Sequence, residues 1–308
     1  MVYVPLVVPS VVPSTGNIPS QEMIFIPRGI VPMGSERVHR LWDNCKRRLV
    51  ETDAFYVAPT PITVGLQKQV MGRVNDEVPN NYPALFSFED NEEFVRKLSL
   101  QTGEPYGIGD GTEWERAARN FIPNVREWME QHHLKTIAQL CEWLNEDGGY
   151  LKDFVALDKG ELLTLGAELL TDPWDPEFQK TLEKAALISC WTAYGTASGS
   201  LNHEEAFYNQ PERGPVRYGK PNQNGLFDVT GGIWEWCADV YEREDDRDSI
   251  CAPRDPFAGG FAPMDDPRVL HGGSYDASDP GKLKVTYRYS VHPMNKFENL
   301  GARLFRAA

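Results

Sequence analysis

A chain of 308 residues, 41% hydrophobic and 25% charged, has the composition of a soluble globular protein and is long enough to bury a sizeable core. Its formal net charge of −14 argues against sequence-independent binding to nucleic acid or to an anionic membrane, both of which need a basic patch. No uninterrupted apolar run reaches about 18 residues, so no segment is expected to span a membrane.

Residues 1–20 are apolar but broken by Pro5, Pro9, Pro13 and Pro19, and they lack a basic leader. They read as an extended arm, an edge strand or polyproline-like segment, and not as a secretory signal. From Met23 to Ser35 the run MIFIPRGIVPMGS predicts two short strands around a Pro-Arg-Gly turn. Ala54 to Val64 is a second strand-like run interrupted by prolines. Ser87 is an N-cap with Asp90 three residues on, and Phe94, Val95 and Leu98 follow at helical spacing. That helix should stop near Gly103, and Glu113 to Arg119 should form another, capped by Thr112.

Residues 121 to about 187 differ in texture. Val125, Trp128, Met129, His132, Ile137, Leu140, Cys141 and Leu144 recur at helical steps, and Leu162–Leu170 and Phe178–Leu187 read as further helices. So short a stretch rarely holds an independent core, so it is expected as a helical insertion within one domain spanning residues 21–308. His132 and His133 are adjacent, face different sides of a helix and do not chelate one metal. Of the cysteines, Cys45, Cys141, Cys190, Cys237 and Cys251, none lies in a C-x-x-C pair, which argues for buried thiols over zinc or a disulfide framework. After Gly195 the chain is rich in Gly, Asn and Pro, and short strands in long loops are expected. The acidic loop with Asp245, Asp246 and Asp248 lacks the spacing of a calcium loop and reads as solvated. The end of the chain, Arg268 to Ala308, has seven Lys and Arg against three Asp and Glu, a local excess of positive charge in an acidic protein.

The most specific segment is Pro215 to Tyr241, PVRYGKPNQNGLFDVTGGIWEWCADVY. Asn224-Gly225 predicts a tight turn and Gly231-Gly232 another reversal. Trp234 and Trp236 alternate with Glu235, so a strand sends both indoles to one face and the carboxylate to the other. This segment resembles the signature of the formylglycine-generating-enzyme, or sulfatase-modifying-factor, family. RVLHGGSY from Arg268 to Tyr275, LGARL from Leu300 to Leu304, the strand pair from Met23 and the two helices resemble the rest of it. The resemblance implies an α+β, C-type-lectin-like fold with irregular loops, here with the helical insertion added.

Founding members of that family oxidise a cysteine using two cysteines, as copper thiolates, shortly after the glycine-glycine-serine turn. The matching stretch here, Tyr275 to Leu283, has no cysteine and none follows, which argues against that chemistry. A sulfur-transfer branch uses iron held by three histidines on a helical domain, and the six histidines here show no such pattern. Some members bind calcium beside the tryptophan-glutamate pair, but Gly232 replaces an asparagine ligand. No catalytic residue, cofactor or metal is therefore expected.

A third branch comprises the variable proteins of diversity-generating retroelements, whose C-terminal codons are rewritten at adenines. Residues 268–304 are similar to such a variable region. Asp276, Ala277 and Ser278, then Pro280 and Gly281, fall where a first variable cluster would lie. Tyr287, Tyr289, Ser290, Val291 and His292 occupy a second, before Pro293, and Asn295, Phe297, Glu298 and Asn299 a third, before Leu300-Gly301 and Arg303. Many of these residues are reached by mutating the adenines of an asparagine codon; Glu298 and Lys282 are not, and Ala302 replaces the usual closing aromatic. An ordinary half-buried strand from Leu283 to Val291 would put both tyrosines in the core. The display reading instead exposes Tyr287, Tyr289 and Phe297, as in antibody-type contact surfaces rich in Tyr, and is the reading favoured here. It predicts a non-catalytic protein that binds a macromolecular ligand, a protein or a glycan, at its C-terminal surface. The alternative is a metal-dependent oxidase or sulfur-transfer enzyme of the same family.

Overall fold

The computed structural model of the chain describes residues 7–8, 18–33, 48–72, 77–119, 121–123, 187–189, 193–241 and 266–308. The interior of the anticipated insertion, residues 124–186, lies outside them, as do most of the arm, His39, the loop around Asp245, and Cys45, Cys141, Cys190 and Cys251.

The strands at the start of the chain follow their alternation. β2 (Met23–Ile26) and β3 (Gly29–Met33) flank the Pro-Arg-Gly turn, with Met23, Ile24 and Ile26 buried. β1 (Val7–Val8) pairs antiparallel with β2. β4 (Arg48–Thr52) pairs with β3, and β5 (Phe55–Val57) with β2. The strand-like run from Ala54 ends at Val57. Pro59 and Pro61 have no N–H to give a ladder, and Thr63 then caps a helix the sequence reading did not anticipate, α1 (Val64–Met71), accepting from the Leu66 N–H.

Helix α2 (Phe88–Thr102) starts at the Ser87 cap and ends at Gly103, which adopts the left-handed conformation (φ 81°). Both ends are set by local chemistry, and its buried stripe is Phe88, Asn91, Phe94, Val95 and Leu98. After β6 (Tyr106–Gly107), α3 (Gly111–Ala118) is capped by Asp110 and not Thr112. The Asp110 carboxylate accepts from the Glu113 N–H while Glu113 reaches back to the Asp110 N–H, a reciprocal box that Thr112, two positions later, does not make with Glu113.

The two ends of the anticipated insertion are strands: β7 (Phe121–Pro123) pairs antiparallel with β8 (Leu187–Ser189), so the chain leaves and returns at adjacent positions. Then come β9 (Trp234–Val240), β10 (Arg268–His271), β11 (Tyr289–Val291), β12 (Leu300–Gly301) and β13 (Phe305–Ala307). Among the described residues these strands make three sheets, ordered β1-β2-β5-β13-β6, β11-β10-β9-β12 and β4-β3-β8-β7. The C-terminal strand β13 thus sits between β5 and β6, closing the chain's end onto its beginning.

The second sheet carries the site. Trp234 and Trp236 on β9 pack into one core cluster with Phe86, Phe88, Leu270 and Tyr287. Cys237, on the opposite face, packs with Trp114, Val269 and Val285. The Trp236 indole N–H is satisfied by the Phe86 carbonyl at 2.9 Å, and Phe88 meets its ring edge-on. The reversal into β9 needs glycine. Gly231 has φ 76°, and a Cβ there would lie 2.3 Å from the Phe207 carbonyl oxygen.

Candidate functional site

Residues 272–300 are loops around β11, and backbone bonds from distant segments hold them. The Tyr275 N–H donates to the Gly232 carbonyl, Gln210 N–H to the Tyr275 carbonyl and Asn209 N–H to the Ala277 carbonyl. Val285 N–H donates to Ala193, Phe88 N–H to Pro293, Trp234 N–H to Asn299 and Phe86 N–H to Leu300. Beneath them Ala193, Tyr194, Ala277 and Leu283 form a small apolar cluster. Backbone bonds do not depend on side-chain identity, so the loop course is specified from outside the loops.

On this frame the anticipated contact residues divide. Asp276, Ser278, Pro280, Asn295 and Glu298 are exposed, and Gly281, Ser290, His292 and Asn299 are partly so. Tyr289 and Phe297 are each 48% exposed. Ala277, Tyr287 and Val291 are buried, which corrects the reading that placed them on the contact surface. Alternation had suggested strand from Leu283 to Val291, but a 3₁₀ turn, Pro280–Leu283, and a second turn running to Tyr287 take up its first part. Only Tyr289–Val291 is strand, and Tyr287 precedes it in a turn with its N–H on the Lys284 carbonyl. Both tyrosine rings approach Trp234, Tyr287 at 5.9 Å from inside and Tyr289 at 5.7 Å from the surface. Ala277 joins the small cluster below the loop, and Val291 the main core.

The surface has members that sequence reading missed. Met294 is 63% exposed, in the turn closed by the Asn295 N–H on the His292 carbonyl. Lys296 holds Asp90 of helix α2 at 2.8 Å, tying the loop to the helix N-terminus. Position within the clusters, between His292 and Phe297, was the only signal for either. Asp276 is oriented by its neighbours: Ser274 Oγ donates to it at 2.5 Å and Asn299 Nδ2 to both its oxygens at 3.1–3.2 Å.

Beneath the surface lies a buried polar centre. Glu235 accepts from the Trp114 indole at 2.7 Å and from Arg303 through Nε and Nη2, the latter at 2.7 Å. Arg303 also donates to the carbonyls of Ala58 and Phe227. Both oxygens of Glu235 and all three guanidinium nitrogens of Arg303 are hydrogen-bonded internally, which makes the pair a tie between chain segments. The Glu235 carboxylate is consequently not presented to a calcium ion. Burial pushes the Cys237 thiol up, and the carboxylates of Asp239 and Glu235 push it further, so the sulfur is held protonated. Copper held as paired thiolates does not fit the loop after Gly273, which carries Asp276 to Lys282 and no sulfur.

Comparison with known proteins gives three results. Residues 173–308 match the sulfatase-modifying factor enzyme 1-like domain. Over 91 residues, 29% of the chain, the sequence is 35% identical to the formylglycine-generating enzyme of Streptomyces coelicolor, and the match spans 27% of that relative's length. Among solved structures, PvdO from Pseudomonas aeruginosa aligns with a TM-score of 0.58 at 16% identity, over 94% of this chain and 95% of that one. Treponema denticola variable protein 1 aligns with a TM-score of 0.51 at 18% identity, over 94% and 96%. These two likenesses are of fold.

Proposed function

We propose that this chain is a non-catalytic binding protein of the formylglycine-generating-enzyme-like family of C-type-lectin folds. Its C-terminal surface contacts a macromolecular ligand, a protein or a glycan, through Tyr289, Phe297, His292 and Asn295, with Asp276, Ser278 and Asn299 around them. The observation that carries the reading is the division between frame and surface. Loop backbones between residues 272 and 300 are held by Gly232, Asn209, Gln210, Ala193, Phe86 and Phe88, while large apolar rings at Tyr289 and Phe297 stay outside the core. A protein whose contact residues are rewritten by a retroelement needs that arrangement, because side chains then change without moving the chain.

The non-catalytic part of the reading is supported by chemistry. The thiol pair of the founding enzymes is missing from the loop where it would act, and Cys237 is sealed beneath the sheet. The resemblance in fold to a variable protein adds to this without identifying a ligand. The gene tests the diversification. The expected finding is an imperfect copy of the codons for residues 276–299 near a reverse-transcriptase gene, differing from the coding repeat at adenines. A locus with neither feature rejects diversification.

A further inference from the structure

Tyr289, Met294 and Phe297 are, with Leu100, the large hydrophobic side chains most exposed among the described residues, and the first three share one loop region. An apolar patch of this kind marks a contact site, and the charges beside it say what it contacts. Next to Phe297 stands Glu298, and Asn299 holds Asp276, so these two carboxylates border the patch on one side. Glu212 lies close by, since the Gln210 N–H bonds the Tyr275 carbonyl. The Tyr275 hydroxyl registers the group: burial pushes it up, and Asp276, Glu298 and Glu212 push it further, against the opposing charge of Arg213. Among the described residues no ion pair reaches Asp276, Glu298 or Glu212. Of the cations in this region, Lys296 pairs with Asp90, and Arg213 donates to the Pro83 carbonyl at 2.7 Å. The result is an apolar face edged by carboxylates that no ion pair engages among the described residues, with Asp276 held in place before any partner arrives.

Building on the binding-protein reading, we propose that the ligand is a protein segment pairing a basic side chain with an apolar one. Its arginine or lysine meets Asp276 and Glu298, and its apolar neighbour lies on Phe297, Tyr289 and Met294. A carboxylate already fixed by hydrogen bonds loses little freedom on binding a guanidinium, and bidentate Arg–carboxylate geometry adds specificity. A neutral glycan makes no use of unpaired carboxylates, and a second copy of this chain would meet like charge with like.

The test uses the full chain immobilised, with three probes: a twelve-residue peptide alternating arginine and leucine, its glutamate–leucine counterpart, and a panel of neutral glycans. The arginine–leucine peptide should bind. The double variant D276N/E298Q and the double variant Y289A/F297A should each weaken it by about tenfold or more. Asp53→Asn removes an exposed carboxylate outside the surface and should leave the affinity within about twofold. Equal loss with Asp53→Asn means bulk charge attraction and overturns the proposal. Glycan binding that needs Phe297, or self-association abolished by Y289A/F297A, also overturns it while leaving a binding surface there. Binding of no probe dependent on Tyr289 or Phe297 overturns this proposal and the reading it rests on.

Discussion

Tyr287 and Tyr289 stand two residues apart, touch the same indole, and do different things. Tyr287 is 6% exposed and packed in the main core, so Tyr287→Ala removes a buried ring and is expected to cost about 3 kcal/mol in urea unfolding. Tyr289→Ala should cost less than about 1 kcal/mol and act on ligand affinity instead. Equal losses would mean that both rings support the core. His271 makes a second prediction at this scale. It is fully buried and stacked on Trp114 at 4.8 Å, and burial, then Arg288, pushes its imidazole down to about 3. In the unfolded chain a histidine titrates near 6.5. Between those values the unfolded state binds the extra proton, so the stability tied to a neutral His271 is complete above about 6.5 and is lost as the pH falls toward 3. The gap in urea midpoint between wild type and His271→Gln should therefore shrink from about pH 7 to about pH 4. A gap independent of pH would show that the folded imidazole is not held neutral.

Elements connect the frame to the surface. Helix α2 delivers the Phe88 N–H to the Pro293 carbonyl and Asp90 to Lys296, so its first turn is both a helix start and a loop clamp. Ser87→Ala should lower stability by about 1 kcal/mol through loss of the bond from the Asp90 N–H. If the loop conformation is specified by backbone bonds, a chain with Asp276, Ser278, Asn295 and Glu298 all changed to Ala should keep its melting temperature within a few degrees. Cooperative loss of the fold in that variant would show that the exposed side chains hold the loops. The helices themselves were legible in advance where the signal was local. Ser87, the stripe Phe94-Val95-Leu98 and Gly103 delimit α2 without help from the rest of the chain. The cap of α3 was misplaced by two residues because Asp110 and Thr112 are both good caps, and only the reciprocal bond with Glu113 distinguishes them. α1 went unread because its first residues continue a β-branched, proline-broken run.

Over the whole molecule, the closing strand β13 and the Glu235–Arg303 tie hold distant parts of the chain together, and the candidate contact surface is built on what they hold. Arg303→Ala leaves Glu235 as a buried charge without its main partner and should cost several kcal/mol, on the order of 3–5. A loss under about 1 kcal/mol would mean the pair is not a tie. Purified protein should carry no stoichiometric copper or iron; either metal at one per chain would move the molecule to the enzyme branch of the family it resembles.

By itself the sequence carried the family resemblance, the glycine reversals and the alternation that sends Trp234 and Trp236 one way and Glu235 the other, because each depends on residues close together along the chain. It also located the stretch that forms the loop surface. Which of those side chains face outward was decided by the tertiary structure. The turn closed by the Tyr287 N–H on the Lys284 carbonyl breaks the alternation that would have placed Tyr287 and Tyr289 alike, and Ala193, nearly a hundred residues earlier in the chain, receives the Val285 N–H that holds that turn. A bond over that separation leaves no trace in local pattern, and it is what separates a core tyrosine from an exposed one.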